Sequence, residues 1–292
     1  MKRPRIAIIG PGRLGTALTL ALYRRGYRIT EIIGERGRSY QRQASSLARK
    51  VRARALGIAD AQFDCEIIWL CVPDGVIAEV ARVLAGRDLG RARVAFHSSG
   101  ALSASEIKPL RARHLAVAAV HPVMTFVTDS QPRLEAVPFS MEGDESAIQV
   151  AEKIVRDLGG ESFRIKASRR VAYHAWATFA SPLLIAFLVT LEEAGRAAGI
   201  EPKTGRRRMM PIVQQTLKNY FALGPARSFS GPIVRGDVAT VQRHLNALRN
   251  FSGAQNVYIS LARMALRRLP VRQQQKLADL LNERRPAVSY DD

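Results

Sequence analysis

The segment RIAIIGPGRLG, residues 5–15, decides the fold that the sequence predicts. It begins with an apolar run typical of a buried strand, and Gly10, Gly12 and Gly15 follow in the spacing G-x-G-x-x-G. The first glycine allows a tight turn, the second lets the backbone approach a pyrophosphate, and the third lets a helix pack closely on the strand. A helix is predicted next, because apolar residues recur at helical spacing before Gly26. They are Leu14, Ala17, Leu18, Ala21 and Leu22.

This order of strand, glycine turn and helix predicts a dinucleotide-binding site. The N-terminus of the helix offers free N–H groups to the phosphates. We expect the site to include Gly10, Gly12, Arg13, Leu14 and Gly15. The alternative is a tight turn that binds no ligand.

The segment GERGRSYQR, residues 34–42, bears on which dinucleotide would bind. Glu35 stands where an acid would bind the ribose hydroxyls of NAD. Arg36, Arg38 and Ser39 follow at once, and guanidinium groups beside a hydroxyl suit the extra 2′-phosphate of NADP. We therefore predict NADP in preference to NAD. The alternative is a solvated run of charge on a basic surface.

Strand and helix patterns alternate through the first half of the chain. Apolar runs typical of strands lie within residues 5–10, 27–34, 65–72, 93–100 and 115–122. Helical patterns separate several of them, and such alternation predicts a doubly wound, Rossmann-type parallel sheet of the α/β class. From Val171 onward the pattern is only helical. We predict a Rossmann NAD(P)-binding domain over residues 1–167 and an all-α C-terminal domain over residues 168–292.

Three turns fall where strands of this sheet are predicted to end. They contain Val72 and Pro73, then His97, Ser98 and Ser99, and finally His121. In a parallel sheet these turns meet at the carboxyl edge, where ligands bind in open α/β folds. We expect Val72, Pro73 and Ser98 to contact the cofactor, and both serines and His121 to act on a substrate. The alternatives are hydrogen-bonded structural histidines and a Ser-Gly turn that caps the next helix.

The first helix of the second domain carries His174, Thr178 and Ser181 at positions i, i+4 and i+7. This spacing predicts one polar stripe on an otherwise apolar helix. If the helix faces the carboxyl edge, His174 can donate a proton during reduction of a C=O or C=N bond. The alternative is hydrogen bonding between helices. The apolar stretch 175–191 is short for a membrane span and contains a proline, so we expect a buried helix.

The segment GPIVRGDVATVQRHL, residues 231–245, reads as a loop followed by a helix. Asp237 is a good N-cap, and Val241 and Leu245 give the new helix an apolar face, with His244 on or beside it. Arg235 is a candidate for binding an anionic substrate. For Asp237, capping is preferred to orienting that substrate.

The composition restricts the classes of function further. A net charge of +20 attracts polyanions, but no nucleic-acid-binding motif is present, so we predict no nucleic-acid partner. Cys65 and Cys71 are predicted to be buried thiols, with no disulfide or metal site. The sequence lacks metal-ligand spacing, a hydrolytic triad order and a P-loop. The early Gly-Pro-Gly-Arg excludes a secretory signal, and we expect a cytoplasmic protein.

A series of segments along nearly the whole chain resembles one family. They are GPGRLGTAL, CVPDGVIAEVA, HSSGAL, HPVMTF, AYHAWATFAS, AAGI and GPIVRGDVATVQRHL. The family is that of Rossmann-like oxidoreductases with a C-terminal domain of unknown function 2520. It is similar to pyrroline-5-carboxylate reductase, ketopantoate reductase and the 6-phosphogluconate dehydrogenase group. The resemblance implies that the helical domain helps form a homodimer, with the active site between domains.

The chain departs from this wider group at two positions. The hydroxyacid dehydrogenases of the group use a lysine on the first helix of the second domain, whereas this helix has no lysine and offers His174. Pro182 stands where the family resemblance implies an asparagine.

Two functions of different classes follow from these patterns. The first is an NADP-dependent oxidoreductase that transfers hydride to a small carbonyl or imine. The alternative is a non-catalytic NAD(P)-binding sensor or assembly protein. Two further alternatives are a deazaflavin-linked NADP reductase, by analogy of fold, and a nucleic-acid binder, which only the charge favours.

Overall fold

The computed structural model describes residues 3–34, 38–128 and 132–282, with the side chains of residues 38–40 outside that description. The chain divides into two compact units, Met1–Phe179 and Ala180–Asp292. The domain boundary between residues 167 and 168 stays a prediction.

In the described part of the first unit, eight strands form one sheet in the order β3-β2-β1-β4-β5-β6-β7-β8. All neighbouring strands are parallel except β6 and β7, which are antiparallel. The strands are β1 (Ile6–Ile9), β2 (Ile29–Gly34), β3 (Arg54–Gly57), β4 (Ile67–Leu70), β5 (Val94–His97), β6 (Ala116–Pro122), β7 (Pro138–Gly143) and β8 (Glu161–Arg164).

Helices cover both faces of this sheet, as the doubly wound prediction requires. In β1, Ile6 and Ile8 belong to the hydrophobic cluster on one face, while Ala7 and Ile9 belong to the cluster on the other. All residues of β1, β4 and β5 are buried, because a strand covered on both faces has no exposed side. The helices are α1 (Arg13–Arg24), α2 (Arg38–Val51), α3 (Asp74–Ala85), α4 (Glu145–Leu158) and α5 (Arg170–Ala180), with 3-10 helices at Ala104–Arg113 and Ala167–Arg169.

Three strands extend the sheet beyond the five that the sequence predicts. Strands β3 and β8 are four-residue edge strands whose residues are largely accessible, so neither forms a continuous apolar run. Strand β7 reverses direction against β6, and His121 pairs with Ser140 across that boundary.

The second unit is helical throughout its described residues. Its core contains Val241, Leu245, Ile259 and Leu277, all of which are at most 2% exposed. Its helices are α6 (Pro182–Ala197), α7 (Pro202–Leu223), α8 (Pro225–Ser228), α9 (Pro232–Arg235), α10 (Val238–Ala247), α11 (Ser252–Arg268) and α12 (Gln274–Asn282).

The predicted continuous helix with His174, Thr178 and Ser181 is wrong at its third position. Ser181 leaves the helical conformation, with φ −127° and ψ −81°, and Pro182 begins α6. A proline disfavours helical backbone at the residue before it, which explains the break. The polar stripe therefore ends within α5.

The expectation of a buried apolar helix at 175–191 is also wrong for the single chain. One stretch, Ala167–Ala197, is long and apolar enough to cross a membrane by length and composition, with a mean hydropathy of 1.6 in its most apolar window. None of that window is buried.

Candidate functional site

The glycine turn after β1 has the geometry of a phosphate-binding loop. Gly10 has φ +97°, and a Cβ there would lie 2.6 Å from the carbonyl oxygen of Cys71. A Cβ on Gly15 would lie 2.0 Å from the carbonyl oxygen of Gly10, so α1 packs on the turn only because Gly15 has no side chain. A Cβ on Gly12 would meet no atom of the described residues within 4 Å, so no described side chain or backbone fills the space in front of it. The turn thus fits a pyrophosphate group.

The start of α1 is also suited to an anion. Gly12 is its N-cap, with no side chain that caps the first turn and no acidic residue in it. Both features favour a bound phosphate at the helix N-terminus. Val72 lies beside the turn, because its Cγ1 would be 3.0 Å from a Cβ on Gly10, and Pro73 is the N-cap of α3.

Most of the side chains that we predict to select NADP over NAD lie outside the part of the chain that the structure describes. Arg36 lies outside the described residues. Arg38 and Ser39 are the first residues of α2, and their side chains are likewise outside it. Their binding to a 2′-phosphate stays a prediction.

His97, in the turn after β5, is fully buried and is held by backbone groups. Its Nε2 lies 3.0 Å from the carbonyl oxygen of Ser103, and its Nδ1 accepts from the Ser99 N–H at 3.2 Å. These partners require the neutral ring with the proton on Nε2. Burial is the main cause that lowers the pKa of His97 to about 4; the Ser103 carbonyl opposes this shift and the charge of Arg170 adds to it. His97 is therefore a structural residue.

The two serines beside it are also engaged within the protein. Ser98 Oγ accepts from the indole N–H of Trp69 at 2.8 Å. Ser99 Oγ donates to Asp74 Oδ2 at 2.8 Å and accepts from the backbone N–H groups of Ala101 and Leu102. This bonding favours the structural alternative for both serines. Their predicted action on a substrate stays a prediction.

His121 and His174 come together at the carboxyl edge of the sheet, and we call them the histidine pair. Their ring centroids lie 6.2 Å apart, with the rings nearly perpendicular. A Cβ on Gly100 would lie 2.9 Å from Nε2 of His121 and 2.5 Å from Cδ2 of His174. The pair thus lies so close to Gly100 that a side chain there would require at least one of the two rings to move. His121 is half-buried, and His174 is exposed.

Tyr173 fixes the ring of His121 from the other side. Its hydroxyl lies 2.7 Å from Nδ1 of His121, and its own pKa is raised by burial. This bond leaves Nε2 as the ring nitrogen directed toward Gly100. Burial, together with the charges of Arg170, His174 and His97, lowers the pKa of His121 to about 4, and burial is the largest cause. His121 is therefore neutral at pH 7, with one ring nitrogen available.

Three further residues of this site were not singled out from the sequence: Gly100, Arg170 and Tyr173. Arg170 is fully buried and donates from Nη2 to the carbonyl oxygen of Ser99. The sequence does carry a signal for Arg170 and Tyr173. Residues 170, 173 and 174 share one face of a helix, because they are spaced three and four positions apart.

The remaining predicted residues are placed as follows. Thr178 Oγ1 donates to the carbonyl oxygen of His174 at 2.9 Å, so the helix itself satisfies this hydroxyl.

In the second unit, Asp237 Oδ1 accepts from the Thr240 N–H at 3.0 Å, which confirms the predicted N-cap of α10. His244 lies beside the buried face, with Nδ1 3.1 Å from the Tyr258 hydroxyl. Arg235 ends α9 and is exposed, and its substrate role stays a prediction.

Comparison with protein families agrees with this architecture. A model described as a Rossmann-like domain matches residues 1–122, and one described as a domain of unknown function, DUF2520, matches residues 137–265. The chain is a Rossmann-like domain followed by a DUF2520 domain. These two matches, in this order along the chain, confirm the family resemblance that begins with the segment GPGRLGTAL and ends with GPIVRGDVATVQRHL. No curated protein matches the chain in sequence.

Solved structures share the fold over nearly the whole chain. A Bacteroides fragilis protein described as a "putative NADP oxidoreductase" has 21% identity and a TM-score of 0.73, covering 90% of this chain and 97% of its own. A Thermotoga maritima protein has 24% identity and a TM-score of 0.69, with 96% and 100% covered. A reductive aminase from Aspergillus terreus, in complex with NADPH and ethyl-5-oxohexanoate, has 15% identity and a TM-score of 0.61, with 96% and 100% covered. At these identities the likeness shows the fold.

Proposed function

We propose that this DUF2520 protein is an NADP-dependent oxidoreductase that transfers a hydride to a small carbonyl or imine substrate. One observation supports it above the others. The glycine turn that fits a pyrophosphate and the histidine pair lie at the same carboxyl edge of one sheet, within one compact unit.

The strand order gives this edge the layout of a dinucleotide site. The order reverses between β1 and β4, and in doubly wound sheets dinucleotides bind across the crevice at that reversal. Strand β6 with His121 lies three strand spacings from β1, which is about 14 Å. The phosphates would lie on Gly12 and α1, with the nicotinamide half on the side of β4 to β6.

The chain's own residues would supply the proton and the orientation. NADPH, when bound, supplies the hydride and leaves as NADP⁺. In the proposed step His174 donates a proton to the carbonyl oxygen or imine nitrogen while carbon receives the hydride, which yields an alcohol or amine. Neutral His121 uses Nε2 as a hydrogen-bonding group that orients the substrate. Arg235, as a further proposal, would bind a carboxylate of that substrate.

The preference for NADP is supported by Arg36, Arg38 and Ser39 after the second strand. It is also supported by the cofactors that are named for two solved structures of the same fold. The Bacteroides fragilis protein is described as an NADP oxidoreductase, and the Aspergillus terreus reductive aminase holds NADPH. We expect NADPH to bind about tenfold or more tightly than NADH, because each hydrogen bond to a charged group contributes about 1.5–3 kcal/mol. Equal affinities in a fluorescence titration would contradict this preference.

The oxidoreductase proposal is tested by following NADPH oxidation with a panel of 2-oxo acids and cyclic imines. Replacement of His174 by Ala is expected to lower kcat by about 10²- to 10⁴-fold, the usual contribution of general acid catalysis. His121→Ala tests the orienting role. The matched control is His114→Asn, because His114 is exposed at the start of β6, at the opposite edge of the sheet, and its φ of +61° suits asparagine. NADPH binding without turnover on the whole panel would favour the non-catalytic sensor or assembly protein.

We also propose that the chain forms a homodimer through its helical region. Large apolar side chains are exposed along α5, α6 and α7, and soluble monomers rarely leave such surfaces open. A second copy of the same chain is the occupant we propose, since the exposed side chains lie on three helices that follow one another along the chain. The residues are Val171, Trp176, Phe179, Leu183, Ile185, Val189, Met210, Ile212, Leu217, Tyr220, Phe221 and Leu223.

A further inference from the structure

Arg170, the first residue of α5, is fully buried although its guanidinium carries a charge. Nη2 donates to the carbonyl oxygen of Ser99, while Nε and Nη1 have no hydrogen-bond partner within the described residues. Burial of a charged group without a full set of partners is unfavourable. The position of this charge therefore calls for an explanation other than stability.

The hydrogen bond of Arg170 acts on the backbone that faces the histidine pair. Ser99 contributes its carbonyl to the peptide that joins it to Gly100, and Gly100 is the residue whose Cα faces both His121 and His174. The approach is so close that a methyl group at Gly100 would displace at least one of the two rings. Displacement of that peptide would change the space in front of both rings.

The charge of Arg170 acts on His121 as well. After burial it is the largest cause of the lowered pKa of His121, ahead of His174 and His97. The nearby carboxylates are already engaged, since Glu142 accepts from the Ala104 N–H and Asp74 from the Ser99 hydroxyl. Among the described residues, the titratable or polar groups that face His121 are Arg170, Tyr173 and His174 on α5, His97 on β5 and Ser140 on β7. Glu142, which acts on Arg170, lies two residues from Ser140 on β7.

We propose that Arg170 is a positioning residue for the histidine pair: it holds the Ser99 carbonyl, and thus Gly100, against the two rings, and places its positive charge near His121. The role in catalysis rests on the proposed oxidoreductase function. Neutral His121 can then orient a substrate through Nε2, while the exposed His174 carries the transferable proton.

The test is an NMR titration of the His121 ring in full-length protein, which requires no turnover. Arg170→Gln removes the charge but keeps N–H donors, and Arg170→Lys keeps the charge. We expect the pKa of His121 to rise by about one pH unit, a tenfold gain in proton affinity, in the glutamine variant and to stay low in the lysine variant. Where turnover is found, the acid limb of kcat/KM should move with it.

An unchanged pKa of His121 in a folded Arg170→Gln protein would overturn the proposal. If that variant does not fold, the wild-type and Arg170→Lys proteins decide. Titration of His121 near 6.5 in either of them would overturn the proposal. Failure of the oxidoreductase function alone would appear differently, as absence of turnover with the expected titration intact.

Discussion

At the scale of single residues, the buried His97 makes the fold sensitive to acid. Its folded pKa is about 4, against 6.5 for the ordinary ring. Between these values the unfolded chain binds a proton that the folded chain does not, so the free energy of unfolding falls as pH falls through this window. The full effect is about 3 kcal/mol, of which about 2 kcal/mol is lost by pH 5. His121 adds to the same trend.

Urea unfolding of wild type and His97→Gln at pH 7 and pH 5 measures this contribution. The glutamine keeps a donor for the Ser103 carbonyl and removes the titration, so its loss of stability on acidification should be about 2 kcal/mol smaller. His114→Asn, which removes an exposed histidine, should retain the wild-type dependence. An identical loss in wild type and His97→Gln would show that His97 does not resist protonation.

The residues of the site differ in how far the sequence could predict them. His121 follows an apolar strand pattern and His174 lies on a patterned helix, so both were predicted, and the structure brings them together. The bonding of Ser98 and Ser99 depends on Trp69 and Asp74, which are 29 and 25 residues away and are brought near only by the folded sheet. No local pattern carries that information.

At the scale of elements, the packing of α1 on β1 depends on Gly15. A Cβ there would overlap the carbonyl of Gly10, which is backbone and cannot move aside. We expect Gly15→Ala to cost about 1–3 kcal/mol, the usual range for overpacking, and to weaken NADPH binding. Urea unfolding and fluorescence titration measure the two effects.

Gly75 supplies the matched control for that substitution. It also lies in the first turn of a helix, α3, but a Cβ there would come within 4 Å of no atom in the part of the chain that the structure describes. Gly75→Ala should therefore leave stability unchanged or raise it by up to about 1 kcal/mol. A Gly15→Ala protein as stable as Gly75→Ala would contradict the close packing of α1.

Elements were predicted where local pattern and burial coincide. Strands β1, β2, β4, β5 and β6 lie within the predicted runs, because strands covered on both faces must be continuously apolar. The edge strands β3 and β8 lack that pattern, and the reversal of β7 depends on tertiary pairing with β6. The break at Ser181 had a local signal in Pro182.

At the scale of the whole molecule, the exposed apolar helices predict self-association. Ile212 is 69% exposed and Phe221 is 82% exposed on α7, and burial of each large apolar side chain contributes about 1.5–3 kcal/mol. We expect sedimentation equilibrium to give a dimer at micromolar concentration. Lys at both positions should raise the dissociation constant by at least tenfold, because a charge there would be buried against apolar groups.

Val83→Lys is the matched control for the dimer, because Val83 is an apolar residue that is 44% exposed on α3, in the other compact unit. It should leave the dissociation constant as in wild type. A monomeric wild-type protein, or one that floats with phosphatidylcholine vesicles, would contradict the dimer, since membrane binding would then account for the apolar stretch Ala167–Ala197. If the variant with lysine at both positions dimerises as tightly as wild type, the dimer contact lies on a surface other than α7.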